Sequence, residues 1–301
     1  MNMKDPDLHM PSSSIVYKEH FFNASDGIRL FYRRWYQEDS KGTVLLIHGY
    51  AEHSGRYRLL ADVLSAAGWS VAAMDYRGHG QSGGRRAHVD DFNQYMEDMR
   101  SFVDEVNRDE LAKDPMVLLG HSQGGLIAAR FGELEPELFS CIILSSPFLG
   151  FAITVPAYKA WMGQVASKLM PTLSMPSGLD PAWLSHDKSM VQEYIDDPLV
   201  SNIATARWFT EVQKAQAQTM DDVKKFTAPL LVLQAGQDRL SLKETSEAFC
   251  AGVSSKIKRF ELFEDMYHEI FNEIDRQVVF DLVVSWLDQQ ITKLHGGIDE
   301  A

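Results

Sequence analysis

The sequence predicts an α/β protein: a mostly parallel sheet with helices on both faces and a helical insertion near its middle. Three observations carry this. Short, continuously apolar runs at residues 43–47, 71–74, 116–119, 141–144 and 230–233 have the length of strands buried on both faces, as parallel strands are. Helical patterns at 57–67, 92–107, 124–134, 242–251 and 276–294 alternate with those runs. The alternation breaks between about Gly150 and Asp222, a stretch with Pro156, Pro171, Pro176, Pro181 and Pro198 and no strand-like run.

Taken in order, the chain opens with two segments rich in aromatic and β-branched residues, 14–22 and 28–36. They flank the turn-like Asn23-Ala-Ser-Asp-Gly27 and read as a hairpin that adds antiparallel strands at one sheet edge. The buried runs and their helices follow, with a looser last strand at 257–263. In the proline-rich stretch, helical pieces at 181–194 and 202–219 suggest an insertion between two strands. Its expected place is over the carboxyl ends of the strands, where open α/β sheets put their sites. The expected organisation is a core in two parts, 1–149 and 223–301, with a helical lid at 150–222.

Composition narrows the classes. At 301 residues the chain can bury a sizeable core, and 45% hydrophobic with 24% charged residues is ordinary for a globular protein. A net charge of −13 repels phosphate backbones and argues against a nucleic-acid partner. Cys141 and Cys250 lie far apart, and Cys141 sits in an apolar run, so no disulfide framework is expected. The first fourteen residues lack the apolar core of a secretory signal, and no run of about 18 apolar residues occurs. A cytoplasmic location is the default.

The sharpest chemical signal is Gly120-His-Ser122-Gln-Gly124, after a strand run and before a helix. A serine presented at such a turn takes a strained backbone, and bulky neighbours at Gly120 and Gly124 would clash. The following helix aims free N–H groups at the site. This is the nucleophile elbow expected of the α/β-hydrolase fold. A serine hydroxyl needs a base, and in that fold an acid and then a histidine follow it in the chain. Asp238 lies directly after the run 230–233, and His268 lies in the loop between the last strand and the final helix. Glu264 and Asp265 are too close to His268 in the chain to serve as the acid, and His79, His88 and His186 occupy other loops. The run 43–47 ends in His48-Gly49-Tyr50, a loop facing the nucleophile, so the backbone N–H groups of Tyr50 and Gln123 are the expected oxyanion donors.

His48-Gly-Tyr-Ala-Glu-His-Ser-Gly-Arg-Tyr57 resembles the same region of monoacylglycerol lipases and related lysophospholipase-like hydrolases. So do Asp75-Tyr-Arg-Gly-His-Gly-Gln-Ser82, the elbow at Ser122, Asp196-Asp-Pro-Leu-Val200 and His268-Glu-Ile-Phe-Asn-Glu273. The resemblance spans roughly residues 25 to 290. It implies a lidded serine hydrolase that frees a fatty acid from a small lipid ester, a monoacylglycerol or lysolipid, without metal or other cofactor. Its triad falls on Ser122, Asp238 and His268. It also implies that Glu52 and Arg56 organise the polar end of the substrate pocket, although an ion pair holding the loop would use the same residues. The family often has methionine where this chain has Gln123, and a small residue where it has Tyr50, which bears on substrate preference. Phe148, Phe151, Tyr158, Trp161 and Met162 give apolar surface suited to an acyl channel, to transient contact with a membrane or lipid interface, or to packing the lid onto the core. The alternatives are a short-chain or aromatic esterase, a thioesterase or a small-substrate peptidase with the same triad, and a non-catalytic binding protein on this fold.

Overall fold

The apolar runs become strands of one eight-stranded sheet in the computed structural model, which describes residues 15–108, 114–152 and 157–296. In chain order the strands are β1 Val16–Asn23, β2 Arg29–Tyr36, β3 Thr43–Ile47, β4 Ser70–Asp75, β5 Met116–His121, β6 Cys141–Ser145, β7 Ser174–Pro176, β8 Ile203–Thr205, β9 Leu230–Ala235 and β10 Lys258–Phe263. The helices are α1 Arg58–Ala66, α2 Asn93–Asn107, α3 Gln123–Leu134, α4 Ala157–Leu169, α5 Lys188–Asp196, α6 Ala206–Asp221, α7 Lys243–Gly252 and α8 Arg276–Gly296. The main sheet runs β1-β2-β4-β3-β5-β6-β9-β10. The hairpin β1–β2 pairs antiparallel, Val16 opposite Tyr36, and β2 joins β4 antiparallel; the remaining neighbours are parallel.

Period-2 alternation sorts the strand residues between two cores. Leu45, Ile47, Leu118, Ile142 and Leu144 face the layer built by α2, α3 and α7. Val44, Leu46, Val117, Leu119, Ile143 and Leu233 face α1 and α8. Each helix offers a matching stripe. Along α2 it is Tyr95, Met99, Phe102 and Val106, at the three- and four-residue steps of one helical face. Fully burying a side chain of this kind contributes about 1.5–3 kcal/mol, which is why both faces of the central strands are apolar.

From β3 the chain goes to β4 on one side, and β5 lies on the other. Their carboxyl ends therefore flank a crevice at a topological switch point. Between β6 and β9 the chain leaves the sheet for α4, β7, α5, β8 and α6. Here the structure departs from the expectation of an all-helical stretch. Strands β7 and β8 form a two-stranded antiparallel ladder, Ser174 opposite Thr205. Three residues are too few to display a period, and Pro176 obscures the signal further. Helix α4 was also not anticipated. Residues 153–156 of the apolar stretch, Pro156 included, fall outside the described residues, as do the first fourteen.

Candidate active site

Ser122 sits between β5 and α3 with φ +52° and ψ −118°, a sparsely populated positive-φ conformation that costs an L-residue on the order of 1–3 kcal/mol. Its surroundings hold it there. Its N–H donates to the Ser145 carbonyl at 2.9 Å, and its carbonyl accepts from Leu126 and Phe148. The flanking glycines are required by close approach. A Cβ on Gly120 would run into the backbone of Gly124, and one on Gly124 into the carbonyls of Ile47 and His48. The elbow thus packs directly against the end of β3. Gln123 opens α3, so its N–H belongs to the first turn, whose donors have no partner within the helix.

Asp238 follows β9 and His268 follows β10, both buried. His268 Nδ1 and Asp238 Oδ2 are 2.8 Å apart. The other carboxylate oxygen accepts from Leu240 N and Ser241 N at 2.8 and 2.9 Å, which fixes its orientation. Burial disfavours the charged imidazole, but Asp238 outweighs it and holds His268 above its ordinary value. Ser122 and His268 line the same small cavity of about 30 Å³, room for roughly one water. The residues expected to act together therefore meet at one rim, drawn from the carboxyl ends of β5, β9 and β10. Such an arrangement can remove a hydroxyl proton and stabilise the resulting imidazolium.

The loop after β3 is fastened by buried charge. Glu52 Oε1 accepts from Gly49 N and from the Tyr57 hydroxyl, each at 2.6 Å. Arg56 donates through Nε to Glu52 Oε2 at 3.1 Å and through Nη2 to Glu269 Oε2 at 2.6 Å. Asn272 Nδ2 donates to the same Glu269 oxygen. Burial and the nearby Glu269 push Glu52 above the usual carboxylate range, and Arg56 pulls it back. For Arg56 burial opposes the charge, and Glu269 and Glu52 outweigh it. The expectation that Glu52 and Arg56 organise the polar end of a substrate pocket thus needs refining. Their polar atoms are engaged by the protein, in the ion pair that was the other reading of the same residues, although Glu52 still borders the small cavity.

Sequence reasoning missed Tyr57, His121, Trp208 and Glu269. Only Glu269 had a signal, as an acid beside the predicted base. His121 lies against His268, ring centroids 4.9 Å apart, and burial holds it well below its ordinary value, so it stays neutral. The rival histidines are engaged elsewhere: His79 is buried among aromatic rings, His88 Nδ1 meets Thr205 Oγ1, and His186 pairs with Glu273. The other motif segments knit loops together. Asp75 accepts from Ser54 N and Gln81 N, and His53 Nε2 lies 2.8 Å from Asp197 Oδ2.

A larger cavity of about 310 Å³ opens on Ser122. Phe148, Phe151, Leu179, Trp183, Trp208 and Phe209 give it an apolar lining. Tyr158, Trp161 and Met162 do not border it. They lie on the outer side of α4, with Trp161 65% exposed. Packing the segment onto the core is therefore not their role. Among the described residues no group of His, Cys, Asp or Glu is arranged to hold a metal ion, and no helix is long and apolar enough to cross a membrane.

The sheet order, the elbow and the rim of converging side chains are those of a serine hydrolase on the α/β-hydrolase fold. Comparison narrows the class. The chain belongs to the family described as serine aminopeptidase, S33, whose model matches residues 38–275. It is 35% identical over 271 residues to a monoacylglycerol lipase of Mycolicibacterium smegmatis, covering 89% of this chain and 96% of that one. It is 32% identical over 260 residues to the phospholipase YtpA of Bacillus subtilis, covering 85% and 99%. Among solved structures, a monoacylglycerol lipase of Paleococcus ferrophilus superposes with a TM-score of 0.77 at 29% identity, covering 92% and 99%.

Proposed function

We propose that this enzyme releases a fatty acid from a monoacylglycerol or a lysolipid, with Ser122 as nucleophile, His268 as general base and Asp238 as the group that orients it. The observation that carries the reading is the pairing of two cavities at Ser122. One is apolar and sized for an acyl chain; the other is small, and bordered by Glu52, His121, Tyr194 and His268. An ester with one apolar and one polar end fits that division.

In the proposed course His268 Nε2 takes the Ser122 proton as Oγ attacks the carbonyl carbon. The oxyanion is met by the backbone N–H groups of Tyr50 and Gln123. Collapse breaks the C–O bond, and the imidazolium gives its proton to the departing alcohol. Water, deprotonated by the same ring, then releases the acid and restores the serine. Residues 150–222 act in this reading as a lid that supplies most of the acyl wall. The outward Trp161 and its neighbours on α4 suit transient contact with a lipid surface, worth about 25 cal/mol per Å² of apolar area covered.

The test is a panel of glycerol monoesters and soluble esters of graded acyl length. If a methylene needs about the volume of a water, roughly 30 Å³, the cavity holds about ten such groups. Medium acyl chains should then be turned over best, and Ser122→Ala should abolish release of acid while keeping the fold. A preference for acetyl esters or for thioesters would favour the alternative enzymes. Failure to react with a fluorophosphonate probe would point to a binding protein.

A further inference from the structure

The two residues assigned above as oxyanion donors have side chains that converge on one tryptophan. Trp208 lies buried in the first turn of α6. Its indole N–H donates to Gln123 Oε1 at 2.9 Å. An indole nitrogen can only donate, so the amide must present its oxygen. The indole also stacks on the ring of Tyr50, centroids 4.1 Å apart and planes 29° apart. The same stretch is fastened to the core nearby. The Tyr50 hydroxyl donates to the Ile203 carbonyl, and Ser201 N donates to the Ala51 carbonyl at 2.8 Å. Thr205 Oγ1 caps α6 by accepting from Trp208 N, and it meets His88 Nδ1 at 2.9 Å. Residues 201–208 are thus tied to the loop after β3 and to the elbow together.

We propose that Trp208 is a positioning residue for ester hydrolysis, holding Gln123 and Tyr50 so that their backbone N–H groups converge on one oxygen. The proposal rests on the reading of Ser122 as nucleophile and of those two donors as the oxyanion hole. The physical need is geometric: donors must lie within about 2.7–3.1 Å of the developing charge, and a misplacement of about 1 Å can cost two orders of magnitude in rate. Gln123 sits on the elbow and Tyr50 on a separate loop. The sheet brings the elbow against the end of β3, and a side chain touching both residues adds a direct tie between the two donors. Methionine has nearly the shape of glutamine but could not hold the indole N–H in this way.

The experiment compares Gln123→Met, Trp208→Phe and the double variant with the parent protein on a soluble p-nitrophenyl ester. Sites are titrated with a fluorophosphonate, and kcat, KM and Tm are measured. Each single variant should lower kcat per titrated site roughly three- to tenfold, the scale of one neutral hydrogen bond, with KM within about twofold. Each should also lower Tm, because one buried polar partner is left unpaired. The double variant removes both partners, so its Tm should recover while its kcat stays at the level of the single variants. Unchanged kcat in both single variants would overturn the proposal. So would kcat returning with Tm in the double variant, losses that multiply there, or a change confined to KM. Ser122→Ala separates the two levels of the argument. Turnover in that variant sinks the underlying reading, whereas an inactive Ser122→Ala beside fully active single variants removes only the role of Trp208.

Discussion

Asp238→Asn replaces one carboxylate oxygen by an NH₂ of the same size, and the surroundings decide which one. Oδ1 accepts from Leu240 N and Ser241 N, while Oδ2 faces His268 Nδ1 at 2.8 Å and Gln234 Nε2 at 3.2 Å. An asparagine that turned its NH₂ towards Leu240 and Ser241 would set a donor against two buried donors, at about 1–3 kcal/mol for each group left unsatisfied. It therefore keeps its oxygen there and presents the amide nitrogen to His268 and to Gln234, whose amide can turn its unpartnered oxygen to accept. That nitrogen can only donate. The imidazole must then accept at Nδ1 and carry its proton on Nε2, the tautomer that cannot take a proton from Ser122. The same reversal in a serine protease triad lowers kcat about 10⁴-fold, equivalent to roughly 5.4 kcal/mol of barrier.

The assay is hydrolysis of a soluble p-nitrophenyl ester, with folded protein quantified separately and Tm recorded. Volume and backbone contacts are conserved, so Tm should shift by only a few degrees while kcat collapses. An asparagine variant within tenfold of the parent rate would refute the assignment of Asp238 as the orienting group. A large fall in Tm would instead mean that the carboxylate chiefly supports the loop after β9.

Three further outcomes are expected. His268 is held above its ordinary value and must be neutral to act as a base, so kcat/KM should fall as pH drops through a midpoint above 6.5; a midpoint below that would contradict the dominance of Asp238. Ser122→Gly should be more stable than Ser122→Ala by about 1 kcal/mol in urea unfolding, because glycine relieves the strain at φ +52°; equal stability would mean that the strain is negligible. Arg56→Met leaves Glu52 and Glu269 buried without their cation, which should cost about 3–5 kcal/mol and lower Tm by roughly 10 °C; an unchanged Tm would show that the carboxyl groups simply protonate.

The core strands were legible because burial on both faces leaves an unbroken apolar run, and observed β3, β5 and β6 begin where the sequence places them. β3 also ends where expected, whereas β5 and β6 run two and one residues further, since Gly120, His121 and Ser145 continue the ladder although none of them is a large apolar residue. The elbow was legible for a different reason: two backbone approaches exclude any Cβ at Gly120 and Gly124, and such positions admit one residue type. Nothing comparable constrained the 150–222 stretch. Its ladder is three residues long, its outer helix α4 exposes Tyr158, Trp161 and Met162, and its buried Trp208 satisfies a partner 85 residues away. Glu269 stands beside the expected base, but its role depends on a cation, Arg56, that lies in another loop.

These differences in legibility follow a division of labour. The groups proposed to make and break bonds come from the carboxyl ends of β3, β5, β9 and β10, and their task is one that demands close geometric tolerance. The wall of the acyl cavity comes mostly from the stretch between β6 and β9: Phe151, Met175, Leu179, Trp183 and Phe209. An apolar wall works by excluding water and matching volume, so many residue combinations serve, and each sets a different substrate length. A fold arranged in this way can keep one reaction while its substrates diverge, which fits relatives of this chain that carry names as different as phospholipase and monoacylglycerol lipase. The contacts of Trp208 with Tyr50 and Gln123 are the point where the two regimes meet, one side set by volume and the other by ångströms.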